Sequence, residues 1–326
     1  MVFSHHSHSG QYVSHAVNTL DEVVSRAKEM NFRTFCLTEH CPRYSRDLLY
    51  PEESEISLEG LSATFDRYVT HAKKIQRQVN SDKTNRLKIL VGFESEGGID
   101  SSHLEKYQEL RAKYHMDIVL GSVHYIDRIP IDFDRENWLR AKSHYKSFHD
   151  FFLAYFNCQY EVISKLKPEV VSHFDLIRLF QDEDNDTCEI TGKPLKDINL
   201  AKDWPQVWYS IGRNIELINQ QGALIELNSA AIRKGWNSPY PKRDIVQYAL
   251  SKGARFCLSD DSHGIKQVGL NYHKVLSYIV SLGSQIEYIY FWDLDDSGAS
   301  FVNKETVADL SKDSFWKINY PNLPGV

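Results

Sequence analysis

The chain is poor in cysteine and has no cysteine pair. Its five cysteines, Cys36, Cys41, Cys158, Cys188 and Cys257, are scattered and never spaced as C-x-x-C. An odd, unclustered set excludes a disulfide framework and a thiolate zinc knuckle, and it suits a reducing, cytoplasmic compartment. Cys36 and Cys257 sit in apolar runs and read as core; Cys41, beside His40, reads as an incidental thiol rather than a ligand. No apolar stretch approaches the roughly 18 residues that span a membrane. The start, MVFSHHSHSG, has neither a basic n-region nor an apolar h-region, so no secretory signal is expected. An excess of positive charge is also missing, with 44 Asp and Glu against 38 Lys and Arg and a net charge of -6. That argues against a nucleic-acid partner. It leaves phosphate chemistry open, because bound divalent ions bring positive charge that composition does not show.

What is present is an alternation. Short runs rich in Val, Ile, Leu and Phe lie at 2–5, 34–38, 87–93, 117–122, 169–172, 223–227 and 255–259, with an eighth possible run at 287–292. Such runs suit strands buried on both faces. Between them lie helix-like stretches at about 20–31, 58–79, 103–115, 145–166, 205–221, 242–252 and 271–282. Two of these open on capping-box patterns, Thr19 with Glu22 and Ser102 with Glu105. Repeated β–α order predicts a parallel sheet, and seven or eight units favour one α/β barrel domain spanning 1–326. Two loops, 125–143 and 174–204, exceed what connection requires, and long loops after barrel strands build active sites. The acidic run Asp182–Asp186 reads first as a solvated loop. The tail after about 296 has no evident place in a barrel.

The runs end in metal-ligand side chains. His6 and His8 close the first, His40 the second, Glu94 the third, His124 the fourth and His173 the fifth; Asp261 and His263 close the seventh. H-x-H on a strand puts two imidazoles on one face, because side chains alternate with period two; His5 then points to the opposite layer. A lone H-x-H is more often exposed or core, but residues gathered at one end of so many barrel strands read as catalytic. Imidazole with carboxylate, and no thiolate pair, suits zinc, manganese or iron. The other histidines (His5, His71, His103, His115, His144, His149 and His273) read mostly as surface or helix-capping residues.

At these residues the chain resembles the polymerase and histidinol phosphatase (PHP) superfamily, over about residues 3–275. Within it the chain is most similar to histidinol-phosphate phosphatases of the fungal type, through SHHSHSG, CLTEHCPR, GSVHYIDRIPIDFD, SHFDLIRLF, LIELNSAAIRKG and LSDDSHG. The resemblance implies a distorted seven-stranded β/α barrel with long loops over its C-terminal face and three divalent ions. It places His6, His8, Glu94 and Asp261 on one ion. A second would share Glu94 and take His124 and His173, and a third would take His15, His40 and His263. Two departures stand out. Many members carry Asp where this chain has Ser4, which removes a supporting partner for an imidazole. The doubled Asp260–Asp261 offers two ligands, of which the D-x-H spacing selects Asp261, with Asp260 as a supporting alternative.

The implied activity is hydrolysis of L-histidinol phosphate to L-histidinol and phosphate in histidine biosynthesis. Water activated beside Glu94 would attack in line, with Glu94 and Asp261 as the catalytic carboxylates. Arg233, in NSAAIRKG, is the first candidate for holding the phosphoryl oxygens, since Arg offers planar paired donors; its ordinary reading is a surface arginine on a loop. Arg43 is second, and Arg178 and Lys234 follow. Three other readings stay open. One is a PHP phosphatase or phosphodiesterase for another small phosphate ester. Another is an amidohydrolase-type barrel, although that family commonly bridges its ions with a lysine at the fourth strand end, which here is GSVH. The last is a metal-binding scaffold without catalysis.

Overall fold

The structure is a computed structural model that describes residues 1–182, 185–295 and 297–321. Seven short parallel strands form one sheet in chain order: Phe3–Ser4, Thr34–Leu37, Lys88–Glu94, Ile118–Gly121, Val170–Val171, Leu224–Asn228 and Phe256–Ser259. The sheet closes on itself where the His5 amide donates to the Leu258 carbonyl at 3.2 Å and Ser7 bridges Ser262. The result is the distorted seven-stranded α/β barrel expected from the alternation of runs.

Each strand is followed by helical structure on the outside. Helix Leu20–Glu29 buries Leu20, Val23, Val24 and Ala27, the i, i+3, i+4, i+7 stripe of a helix with one apolar face. Its capping box is as expected: the Thr19 hydroxyl accepts from the Glu22 amide, and the Glu22 carboxylate accepts from the Thr19 amide at 2.7 Å. The Ser102–Glu105 box does not form. Helix Ser101–Tyr114 begins earlier, and Asp100 caps it by accepting from the Ser102 and His103 amides at 3.0 and 3.2 Å. An ionised acceptor two residues earlier wins over a hydroxyl. From helix Leu58–Ser81, the buried Tyr68 hydroxyl approaches the Leu37 and Gly92 carbonyls at 2.6 and 2.8 Å, tying helix to sheet. Gly92 itself is demanded by the strand pairing, since a Cβ there would lie 1.8 Å from the Ile118 carbonyl oxygen.

Two further expectations change. The run at 287–292 is a strand, but not of the barrel: Tyr288–Leu294 pairs antiparallel with Ser300–Thr306. This hairpin sits against the N-terminal mouth of the barrel. Tyr290, Trp292, Leu294 and Val302 pack on the interior cluster Cys36, Leu90, Ile118, Leu120, Val170, Leu224 and Cys257. The tail therefore plugs the bottom of the barrel, and helix Ser314–Asn319 packs Phe315 and Trp316 into the outer core. The loop 125–143 contains a small hairpin and helix Arg135–Lys142. In the acidic run, residues 183 and 184 lie outside the described residues; Asp186 pairs with Arg135 at 2.7 Å. Among the described residues no helix is long and apolar enough to cross a membrane.

Candidate metal centre

Inside a barrel strand, period two carries one face from the apolar interior to the C-terminal rim. In the third strand Leu90 faces the interior, and Glu94 lies four residues on. His124 and Asp261 also lie four residues past the interior Leu120 and Cys257, just beyond the ends of their strands. The rim is therefore lined from within, and its ligand-type side chains are buried: Glu94 is 1% exposed, and His6, Glu96 and Glu226 are 0%.

Glu94 is the hub. Its Oε2 lies 3.1, 3.3 and 3.2 Å from His6 Nε2, His8 Nε2 and His40 Nδ1. Its Oε1 lies 3.2 and 2.9 Å from the Nε2 atoms of His124 and His173, and accepts from the Ser122 hydroxyl at 2.6 Å. Asp261 Oδ1 lies 3.7, 3.5 and 3.5 Å from His6 Nε2, His8 Nε2 and His263 Nδ1. Among the described residues, four groups of three have ligand atoms within 4.8 Å of one another: His6, His8 and Asp261; Glu94, His124 and His173; His8, His40 and His263; and His40, Glu96 and His124.

Several of the site's histidines are also held from behind. His6 Nδ1 faces Glu226 at 3.2 Å, His124 Nδ1 faces Glu96 at 2.8 Å, and His8 Nδ1 faces Glu39 at 3.5 Å. A carboxylate on one ring nitrogen orients the imidazole and raises the basicity of the other. Glu39, Glu96 and Glu226 are absent from the sequence reading, though each left a trace. Glu39 precedes His40, Glu96 is two residues past Glu94 on the same face, and Glu226 interrupts the apolar strand LIELN. Glu226 also supplies the partner that Ser4 does not: the Ser4 hydroxyl donates instead to Asp260 at 3.1 Å. Asp260 braces the loop, accepting from the Gly269 and Ser262 amides at 2.6 and 3.2 Å. Asp261 enters the cluster with φ 48°, a left-handed backbone that a non-glycine residue adopts at a cost of about 1–3 kcal/mol.

The electrostatics divide the histidines. Burial disfavours the His8 cation, but Asp261, Glu39 and Glu94 outweigh it and push its pKa up to about 10. The same contest, won by Glu94, raises His6 and His124. Burial, then the charge on His8, lowers His40 to about 4 and drives His263 down. Glu94 and Asp261 are held well below the carboxylate range because His6 and its neighbours outweigh the cost of burial. The cluster attracts positive charge at its centre while some imidazoles resist taking it as protons. His6 Nε2 and both ring nitrogens of His8 are buried without a hydrogen-bond partner, and orphaned buried nitrogens are costly. A divalent cation meets both conditions, since it binds neutral imidazole and ionised carboxylate. The donor set fits a metal.

The remaining expected residues divide. His15 reaches the rim, its ring 5.0 Å from that of His263 and 5.2 Å from that of His40, but its Nδ1 faces Glu52 at 3.3 Å and it joins none of the four groups. Arg233 lines the cavity above the centre, a space of about 290 Å3, with Lys234 beside it. Arg43 is buried rather than free for substrate: it pairs with Glu53 and with Glu96 at 2.9 Å. Arg178 lies outside the cavity lining and pairs with Asp244 at 3.0 Å. Both arginines follow ligand strands, but a nearby carboxylate claims each. Cys41 is a buried core thiol. Of the seven histidines read as outside the centre, none joins it.

A seven-stranded parallel barrel with imidazoles and carboxylates at its strand ends defines a class of metallohydrolase-like folds. The PHP domain model matches residues 4–230, and the chain belongs to the PHP domain family. Within that family it is 37% identical to the histidinol-phosphatase of Saccharomyces cerevisiae, over 96% of this chain and 98% of that one. It is 39% identical to the "Probable histidinol-phosphatase" of Schizosaccharomyces pombe, over 87% of each. The histidinol phosphate phosphatase of Lactococcus lactis, solved with zinc, L-histidinol and phosphate, shares the fold at a TM-score of 0.59. It is 19% identical, over 86% of this chain and 94% of that one.

Proposed function

We propose that this protein is a metal-dependent phosphatase that hydrolyses L-histidinol phosphate to L-histidinol and phosphate in histidine biosynthesis. The observation that carries this reading is the meeting of Glu94, His124, His173 and Asp261 with the Arg233 guanidinium in one cavity. The end-to-end likeness to the Saccharomyces cerevisiae histidinol-phosphatase supports the choice of ester. The ligand groups support three divalent ions (zinc, manganese or iron): His6, His8, Glu94 and Asp261 on one; Glu94, His124 and His173 on a second; His40 and His263, with His8 or His15, on a third. When bound, such ions would acidify water and neutralise phosphate oxygens.

The chain's own residues do the rest. Arg233 donates to the Asp260 and Asp261 carbonyls at 3.3 and 3.0 Å, which fixes the guanidinium beside the centre. Its remaining donors are available to phosphoryl oxygens. Glu94 and Asp261, held ionised, accept hydrogen bonds from an attacking water and orient it. Glu226 and Glu96 fix the ring planes of His6 and His124, so little reorganisation is needed during reaction. The test is phosphate release from histidinol phosphate by purified protein supplied with zinc, manganese or iron(II). Failure to release phosphate with all three would end this reading.

A further inference from the structure

The sixth strand, Leu224–Asn228, carries its inward face from apolar to polar in two steps. Leu224 belongs to the interior cluster, Glu226 stands behind His6, and Asn228 is the last inward residue. Period two puts all three on one face. Asn228 is 0% exposed, lies outside the cavity lining and joins none of the four ligand groups among the described residues. A buried amide costs stability unless its ends are bonded, so its partners say why it is there.

Both partners belong to the site. Asn228 Nδ2 donates to Glu226 Oε1 at 2.6 Å, and Asn228 Oδ1 accepts from the Ala230 amide at 2.8 Å. A carboxylate takes only a donor and a backbone N–H only an acceptor, so the two ends of the side chain cannot be exchanged. Glu226 in turn reaches residues assigned above to two different ions. It faces His6 Nδ1 at 3.2 Å, and its Oε1 accepts from the His173 amide at 2.7 Å. That second bond pins an uncommon backbone: His173 lies at φ 21°, an angle that non-glycine residues seldom adopt. On the other side, Ala230 opens the single helical turn Ala230–Arg233, which receives no side-chain cap from Ser229. Arg233 ends that turn, so the bond to Ala230 sets where its side chain starts. The Asn228 backbone is fixed as well, exchanging amide bonds with Tyr240 at 3.0 and 3.1 Å.

We propose that Asn228 is a positioning residue that holds the metal ligands and the phosphate-binding arginine in one fixed relation. Its N–H end acts through Glu226 on His6 and His173, and its oxygen acts through Ala230 on Arg233. The role of Arg233 rests on the phosphatase reading above; the metal half does not. Hydrolysis brings a phosphoryl group held by Arg233 to water held at the centre, and a misplacement of about 1 Å costs on the order of 10²-fold in rate. One short side chain bonded at both ends leaves little room for that shift.

Asn228→Asp separates the two ends. A carboxylate keeps the acceptor for the Ala230 amide but sets a second negative charge against Glu226. Zinc affinity, read by competition with a chelator, falls about 10–100-fold. Calorimetric binding of inorganic phosphate to the zinc-saturated protein, and KM for histidinol phosphate, stay within about twofold. Asn228→Ala removes both ends, and there phosphate affinity also falls, by about tenfold. A packing residue would lower the melting temperature of both variants without this split. Equal losses of phosphate affinity in the two variants, or wild-type zinc affinity in Asn228→Asp, overturn the inference. If Asn228→Asp does not fold, Asn228→Ala is combined with Glu226→Gln. The double variant then binds zinc no more weakly than Glu226→Gln alone, and additive losses overturn the route through Glu226. Wild type that binds zinc and phosphate yet releases no phosphate from histidinol phosphate sinks the substrate reading instead, and the split in affinities still judges Asn228.

Discussion

At the N-terminal mouth, the barrel interior holds Cys36, Leu90, Ile118, Leu120, Val170, Leu224 and Cys257, sealed by the Tyr288–Leu294 hairpin. At the C-terminal mouth the same strands present Glu94, His124, Glu226 and Asp261, two or four residues further on. The first end stabilises the fold: each large apolar side chain removed from water contributes about 1.5–3 kcal/mol. The second end works against it, since charges drawn from water cost several kcal/mol each unless paired. The difference teaches that one strand pattern serves both purposes. Only the class of residue changes along the inward face, and the apolar end supports the strained, charged end.

Four substitutions or conditions separate the two ends. The largest effect is expected from Glu94→Gln at the top. Removing the shared carboxylate lowers turnover by about 10²–10³-fold or more and reduces bound metal by elemental analysis. Near-wild-type kcat with full metal content would take Glu94 out of the hub. The bottom responds in the opposite sense: Leu120→Ala, fully buried in the interior cluster, costs about 2–5 kcal/mol of stability in urea unfolding. The folded fraction keeps its metal and its kcat. Lost metal at full stability would show that the two ends are not separable.

A smaller effect belongs to the carboxylates behind the ligands. Glu226→Gln weakens metal affinity by about 10–100-fold, read by competition with a chelator; unchanged affinity would make Glu226 a packing residue only. The smallest is a pH effect at the bottom. His5 is buried and neutral, its Nδ1–H donating to the Leu258 carbonyl at 2.9 Å while its Nε2 accepts from the Trp292 amide at 3.1 Å. Burial lowers its pKa to about 4, against smaller raising contributions from its Leu258 bond and from Glu226. Between pH about 6.5 and about 4 the unfolded chain binds the proton and the folded one does not. Stability present above pH 6.5 is therefore lost on acidification, by about 2 kcal/mol between pH 7 and 5. Urea midpoints of wild type and His5→Leu across that range measure it; parallel pH profiles would assign the loss to other groups.

Much of this was legible because it is local. Apolar runs of four to seven residues, the Thr19–Glu22 cap and the ligand types at the strand ends all depend on neighbours in sequence. What was missed depends on distance. Asp100 displaced Ser102 as a cap through a competition that the pattern S-x-x-E does not show. Arg43 and Arg178 follow His40 and His173 by three and five residues, yet partners in space, Glu53, Glu96 and Asp244, decide what they do. Glu226 signalled itself as a charge inside an apolar strand. Its role needed the sixth strand to come within reach of His6, 220 residues earlier. The tail had no sequence cue for its place, because a two-stranded hairpin fits many surfaces and only the open mouth selects one.

By itself, the sequence determined the order of strands and helices, the inward alternation, and the residue types that would meet at the strand ends, because period two and helix periodicity are written residue by residue. Only the tertiary structure decided that Glu94 faces five imidazoles, that three further carboxylates stand behind the histidines, and that Asp132 and Glu52 line one cavity with Arg233. Those decisions arise from barrel closure. It converts separations of tens to hundreds of residues into a few ångströms, and at that range burial and charge, rather than sequence neighbourhood, set what each side chain does.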